Sequence, residues 1–520
     1  MQNHPESVFT SSNFKVTFRL GLLSLLVFEM VSLLGFFLPP VSSLAFLVLI
    51  FCVAVLAWKR PDLALLVLLG ELFIGSQGGA MVAYSSGGTF VSLRIGLFLA
   101  VFGVWLAKSL IGYMRSGFAH SNLAWFLVLR EKGLFWPYIA LLSAFAYGGL
   151  RGLALNSSSE VFFDANGYAY FALLPAFHAA FLTVKDKDIF RTNILALLFA
   201  AITDAVLKAL IVLFLFSHRQ FGVAWNLYLW VRDTRVGEIT IMTADFYRIF
   251  FQSQIWSLAM ILAGSLYAAY MTSWKTGRAR AVLAIITWAM VAMALSLSRS
   301  FWFGGAVAAI ICAAFLVWAK AEKIIWARLL AIGVGSILCA VVIILTLYIF
   351  PFPRKTGDLS FMTLFSSRAT SFGDAAASSR WALLPKLMEA GREHPVLGSG
   401  LGRSVTYTTS DPRLLADNPT GKYTTSAFEW GYHDLWIKFG LFGLVAYGWF
   451  VLRLLKRLLR NIQGSRLTLA KSGLEQVSKE QTVIYVGLVV AVVALLATNV
   501  FSPYLNHPLG IGLLMLVTIL

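Results

Sequence analysis

The sequence predicts an all-α, polytopic membrane protein of about 14 transmembrane helices, with one long external loop that contains a short amphipathic helix. Three observations predict it. The 520 residues are 59% hydrophobic and only 13% charged, where a water-soluble chain carries roughly 25% charged residues. Long apolar runs recur from residue 18 to residue 520, each approaching the roughly 20 residues that a helix needs to cross a bilayer core of about 30 Å. Basic residues gather between alternate runs, which is the asymmetry of a membrane protein's cytoplasmic side.

Taken in order, the first run, Leu20 to Leu38, follows Lys15 and Arg19. It is long for a signal-peptide core and has no A-x-A-like site after it, so it reads as a retained helix. The expected spans are 18–38, 41–58, 61–75, 91–108, 133–150, 166–184, 192–216, 248–271, 281–298, 301–319, 328–350, 433–454, 482–500 and 506–520. With the N-terminus inside, the inner segments include "WKRP", "KDKDIFR", "KTGRARA", "KAEKIIWAR" and "RLLKRLLRNIQGSRLTLAKSG". Together the inner segments hold roughly 24 of the chain's 42 Lys and Arg residues. Both termini then fall in the cytoplasm. The chain divides into transmembrane helices over 1–350, the external loop over 351–432, and C-terminal transmembrane helices over 433–520.

Three sizeable segments fall outside: the Gly/Ser-rich 76–90, read as loop, then 217–247, and the long loop 351–432. In that loop "SSRWALLPKLMEAGREH" places Trp381, Leu384, Leu387 and Met388 at helical spacing, and Pro395 ends the run. The three cysteines, Cys52, Cys312 and Cys339, sit in apolar runs without metal-type spacing. No internal repeat and no paired broken helices of the secondary-transporter kind are evident.

The formal net charge of +18 would suggest nucleic acid in a soluble protein. Here cytoplasmic loops account for much of it, and no nucleic-acid partner is expected. The external basic residues are the informative remainder. They include Arg235, Arg248, Arg299, Arg380 and Arg403. Arg248 opens an apolar run in "FYRIFFQSQIW", and Arg299 sits in "LSLSRSFWFGG" between two spans. Singly, such arginines snorkel. Several on one face suit an anionic ligand at headgroup level, because a guanidinium is a permanent, bidentate phosphate donor.

"EWGYHDLWIKFG" places His433 and Asp434 at the entrance of an apolar helix just after the long loop. A neutral imidazole there can take a proton from an attacking hydroxyl, or it can simply hydrogen-bond to a loop carbonyl. Adjacent helical residues do not face each other. Asp434 therefore either caps the helix or orients the ring, and Glu429 is an equal candidate for the second role. "HPVLGSGLG", 394–402, lets backbone pass close to a ligand or to a membrane helix, with Gly398 and Gly400 at its centre. Within the spans, Asp204 and Lys208 are four apart and are expected to pair, as a structural ion pair ahead of a proton relay. Glu29 and Glu71 have no evident sequence partner. No paired acidic motif of the DxD kind appears outside, which argues against a catalytic divalent metal; no cofactor is expected.

The order of Arg248, "LSLSRS", "SRWALLPKLMEAGREHPVLGSGLG" and "HDLWIKFGLFGL" resembles the superfamily of bacterial O-antigen ligases and O-antigen polymerases. The resemblance is strongest over about residues 230–445. It implies a metal-independent, membrane-embedded glycosyltransferase of the GT-C type in the bacterial inner membrane, with its active site on the periplasmic face. The implied donor is a glycan on undecaprenyl diphosphate, and the implied acceptor is a glycan or a lipid A core. Carried over, Arg380 and Arg248 hold the diphosphate and His433 acts as base, with Arg299, Arg235, Glu238, Arg403, Gly398, Gly400 and Asp434 as substrate-binding candidates. The competing expectation is a flippase for the same lipid-linked sugars, which needs cations deep within several spans.

Overall fold

Apolar runs of this length satisfy their backbone in hydrocarbon only as helices, and the chain forms them in alternating up-and-down order. The structure is a computed structural model. It describes residues 12–520 except 76–80, 87–88, 117–123, 219, 243–245, 354–374, 410–414, 416–417 and 473–474. The first half comprises α1 (Ser12–Phe37), α2 (Pro39–Lys59), α3 (Pro61–Ile74), strands β1 (Ala83–Ser86) and β2 (Thr89–Ser92), α4 (Leu93–Ser116), α5 (Ala124–Glu131), α6 (Phe135–Leu155), α7 (Ser158–Tyr168), α8 (Leu174–Thr183), α9 (Lys187–Ser217) and α10 (Phe221–Asp233). Then come β3 (Gly237–Ile241), β4 (Tyr247–Phe251), α11 (Gln254–Tyr270), α12 (Gly277–Ser296), α13 (Arg299–Trp318), α14 (Lys323–Ile349), α15 (Ala375–Glu393), β5 (Val405–Thr408), β6 (Lys422–Thr425), α16 (Gly431–Ser472), α17 (Glu475–Thr498) and α18 (Pro508–Ile519).

Among the described residues, ten helices are long and apolar enough to cross a membrane: α1, α2, α4, α6, α9, α12, α13, α14, α16 and α17. The protein is thus a multi-pass membrane protein. The other four expected spans are helical but shorter or broken. α3 has 14 residues, α11 has 17 and α18 has 12. The run expected at 166–184 is α7 and α8 joined through a 3-10 turn at Ala169–Leu173. The expected span 248–271 begins only at Gln254, because Arg248 belongs to a strand.

The fold is mostly helical, as expected, with three short antiparallel hairpins added, β1–β2, β3–β4 and β5–β6. They gather at one end of the bundle. Ser32 of α1 donates to Met81 O beside the first hairpin, and Trp230 Nε1 of α10 donates to Ser32. Tyr504 donates to Gln252 O at the end of the second hairpin, and Ser426, just after the third, hydrogen-bonds Glu160 of α7. We call this the hairpin end. At the opposite end, basic side chains cover the C-terminal carbonyls of helices, where the helix dipole is negative. Lys108 donates to Trp58 O, Arg328 to Ala269 O and Met271 O, and both Lys132 and Arg457 to Thr518 O.

Charged groups inside the bundle are paired across helices. Glu71 of α3 takes a two-pronged bond from Arg94 of α4, at 2.8 and 3.1 Å. Lys208 of α9 pairs with Glu29 of α1, not with Asp204 as the four-residue spacing suggests. Glu29 and Glu71 thereby gain the partners that local sequence could not show.

The long loop is largely structured where it is described. Helix α15 starts at Ala375 and buries Leu383, Leu387 and Ala390. These pack with Val405 and Tyr407 of β5 and with Phe428, Trp430 and Ile437, forming a small second core on the hairpin end. Trp381, expected on the buried face, is 56% exposed. On the outer surface of α15, Lys386 donates to Glu389 at 2.8 Å, and that hydrogen bond holds the Glu389 carboxyl below the usual range.

Candidate active site at the break in α16

α16 is not one helix. Gly440 has φ 65° and ψ −165°, a conformation open essentially to glycine alone. It cuts off a half-helix, 431–439, from the rest. A break inside a membrane bundle strands backbone donors and acceptors, each expensive to leave unpaired away from water. Segment 395–400 of the loop takes them up. Ser399 N donates to Ile437 O at 2.7 Å and Gly400 N to Lys438 O at 3.1 Å. Leu441 N and Phe442 N donate to Pro395 O and Val396 O, at 2.8 and 3.0 Å.

This is why the segment is glycine-rich. A Cβ at Gly398 would stand 2.5 Å from Lys438 O, and one at Gly400 would stand 2.7 Å from the Cα of Gly152 in α6. Both glycines also have positive φ, 72° and 84°. The expected passage of "HPVLGSGLG" beside a membrane helix is seen. The amides of Gly398 and Gly400 donate to protein carbonyls, His394 O and Lys438 O.

Beneath the half-helix lies a buried charge cluster. Lys438, 1% exposed, sits between Asp434 at 2.6 Å and Asp164 of α7 at 2.7 Å. Asp434 also accepts from Tyr168 Oη and Asn506 Nδ2, each at 2.9 Å. The other oxygen of Asp164 accepts from Gly402 N at 2.7 Å. Asp434, one of the substrate-binding candidates, is fully buried and turned into the bundle. It does not orient His433. One helical step rotates the next side chain by roughly 100°, which sends the two neighbours to different faces.

His433 faces the other way. It is half-buried, lies edge-on to Trp430 with ring centroids 5.9 Å apart, and hydrogen-bonds to no described residue. Trp430 also joins it to Arg380, since its Nε1 donates to Arg380 O at 3.0 Å. The Arg380 guanidinium, 40% exposed, forms an ion pair with Glu429. Glu429 therefore engages the arginine, not the imidazole. Trp381 packs edge-on against Trp430, with centroids 5.2 Å apart.

The second arginine group is linked to this one through a short relay. Trp430 touches Phe501, whose neighbour Ser502 donates to Ser300 at 2.9 Å. Ser300 follows Arg299, and the turn before it holds Leu297 at φ 43°. Arg248 Nε, reaching from β4, donates to Ser296 O of that same turn at 2.8 Å. Its Nη1 lies 3.3 Å from Glu238 of β3. Arg248, Glu238 and Arg299 thus border one turn, and His433 and Arg380 border the next. Arg235 and Arg403 stand apart: Arg235 is exposed over Phe163 at 5.8 Å, and Arg403 pairs with Glu393 at 2.6 Å.

Residues 281–448 match the family described as O-antigen ligase. That segment of the chain is similar to the O-antigen ligase family, which supports the resemblance to the O-antigen ligase and polymerase superfamily. The matched segment includes Arg299, Arg380, the glycine segment, His433 and the break at Gly440. Arg248 and Asp164 lie before it. Comparison with curated proteins and with solved structures returned no match.

Sequence reading missed Asp164, Lys438, Trp430 and the Phe501–Ser502 turn. Lys438 had a usable signal, as a lone cation four residues after Asp434 in an apolar run. Asp164, 274 residues away, had none.

Proposed function

We propose that the protein is a glycan transferase of the bacterial inner membrane, acting at the hairpin end on the periplasmic side. Its donor is a glycan linked to undecaprenyl diphosphate, and its acceptor is a hydroxyl of a second glycan or of a lipid A core. Arg380 and Arg248 hold the diphosphate, and Arg299 adds charge at the turn between them. The acceptor oxygen bonds to the anomeric carbon while the bond from that carbon to the diphosphate oxygen breaks. The acceptor proton passes to His433, and the lipid diphosphate leaves with its charge held by guanidinium groups already in place. Fixed charge aimed at a leaving group is electrostatic catalysis, and one base of near-neutral pKa suffices for a sugar hydroxyl.

The observation that carries this reading is the pairing around Trp430: a half-buried imidazole without a hydrogen bond to any described residue on one side, and a surface guanidinium on the other. Glu429 holds that guanidinium until a diphosphate competes for it. A transporter reading is less well supported, since the cations buried within the spans, Arg94, Lys208 and Lys438, each have a carboxylate partner.

The test is transfer in membrane vesicles from a host strain lacking its own enzyme. His433→Ala and Arg380→Ala, each confirmed as inserted, are expected to lower the rate by on the order of 100-fold or more. Near-wild-type rates in both variants would overturn the site. The wild-type product, a polymer ladder or a single capped repeat, distinguishes polymerase from ligase.

A further inference from the structure

We propose that Asp164, Lys438 and Asp434 form a positioning unit that holds the Arg380-bearing loop and the His433-bearing half-helix in register; this rests on reading those two residues as the reacting pair. The half-helix 431–439 is detached from its own helix at Gly440, so continuity of α16 does not fix its direction. Its direction is set from the side. Tyr432 Oη donates to Leu496 O at 2.9 Å, and Asp434 is held by Tyr168 and Asn506. At its far end Lys438 is held by Asp164.

The loop is fastened to the same point. Asp164 uses Oδ1 for Lys438 and Oδ2 for Gly402 N, both at 2.7 Å. Gly402 closes the segment that follows α15, and α15 carries Arg380. One carboxylate therefore holds the element bearing the arginine with one oxygen and the element bearing the imidazole with the other. Asn156 Nδ2, donating to Leu401 O at 2.7 Å, fixes the neighbouring residue of the loop.

Two carboxylates and one ammonium in a buried site are a costly way to secure a fold. Well-packed apolar residues often do as well or better. What the charges add is direction, because each bond fixes an angle as well as a distance. Register matters because misplacing reacting groups by about 1 Å costs on the order of 100-fold in rate.

The test uses the full chain in vesicles, with the host's undecaprenyl-diphosphate-linked glycan as donor and rates normalised to folded protein measured by size exclusion. Asp164→Asn is expected to lower kcat by about 10- to 100-fold while the donor KM moves less than about threefold. In a His433→Ala background the same change is expected to alter the residual rate by less than about twofold, because Asp164 acts through the alignment of His433. A merely structural role would instead lower the rate equally in both backgrounds, and would overturn the proposal. If Asp164→Asn does not yield folded protein, Asp434→Asn, which keeps an oxygen for Tyr168, is expected to show the same pattern. A wild-type protein that transfers glycan through His433 but is indifferent to both substitutions sinks this inference alone. A wild-type protein that does not transfer glycan, or does so without His433, sinks the functional reading itself.

Discussion

Two places in this protein combine the same three charges, two carboxylates and a lysine, and they are built to different standards. Around Lys438, every charged group has further partners: Tyr168 and Asn506 on Asp434, Gly402 on Asp164. Around Lys208 the set is unfinished. Lys208 pairs with Glu29 and lies 4.9 Å from the ring of Phe251, but neither oxygen of Asp204 meets a donor in hydrogen-bonding geometry, although the residue is 1% exposed. Both clusters are largely shielded from solvent. The complete one lies directly under the half-helix that presents His433, and the incomplete one lies within the α1–α9 packing, away from the Trp430 pair. The difference is that the cluster under His433 is tied to other elements through Tyr168, Asn506 and Gly402, with Asp434 Oδ1 meeting Lys438 as an ion pair, whereas Asp204 has no donor on either oxygen.

Substitutions can break that contrast. Lys438→Met has the largest expected effect. It leaves two carboxylates facing each other without a cation, and loss of one partner from a buried pair costs about 3–5 kcal/mol. Thermal unfolding in detergent should show a strong loss, and a melting curve like wild type would remove the special status of this cluster. Gly440→Ala comes next. The backbone conformation alone costs about 1–3 kcal/mol for a non-glycine residue, and the new methyl meets the Val396 carbonyl. Amide exchange at Ser399 and Gly400 should accelerate, because they lose their acceptors in the break; unchanged protection would mean that the break tolerates a side chain.

Lys208→Met should be milder than Lys438→Met, by about 1–3 kcal/mol of lost stability, with transfer per folded molecule intact. An equal loss in the two variants would erase the distinction drawn above. Asp204→Asn is the smallest and differs in sign. Removing a carboxylate without donors should leave stability unchanged or raise it by about 1 kcal/mol. A clear destabilisation would show that Asp204 has an attractive partner and belongs with the well-made cluster.

The spans were legible because hydrocarbon permits so few solutions, and the long helices α1, α2, α9 and α14 appear where apolar length demands them. The hairpins were not legible. Each strand has only 4 or 5 residues, too few for alternation to stand out, and β3–β4 hides Arg248 in what reads as the start of a helix. In the candidate site, His433 was named from residue type and its place beside the loop and Arg380 from the family resemblance, and the two lie on either side of Trp430. For Asp434 the sequence left capping and orienting open, because its long-range partners Tyr168 and Asn506 lie 266 and 72 residues away. The glycines of 398–402 signalled close backbone approach, but only coordinates could say that the segment seats against a broken helix. Lys438 and Asp164 meet across 274 residues, and no local pattern predicts such a meeting.

The break at Gly440 has a consequence for how the protein is made. The start of α16 cannot rest in lipid on its own, because its cut ends would face acyl chains unsatisfied. On the proposed topology, the strip that seals them has already been exported when that helix emerges from the translocon. Segment 395–400 must then turn back into the bilayer plane and seat against α6 before the last helices close over it. Nascent-chain stages ending beyond α16 should accordingly be the first to resist protease within the loop, so that assembly of the candidate site and completion of the membrane domain are one event.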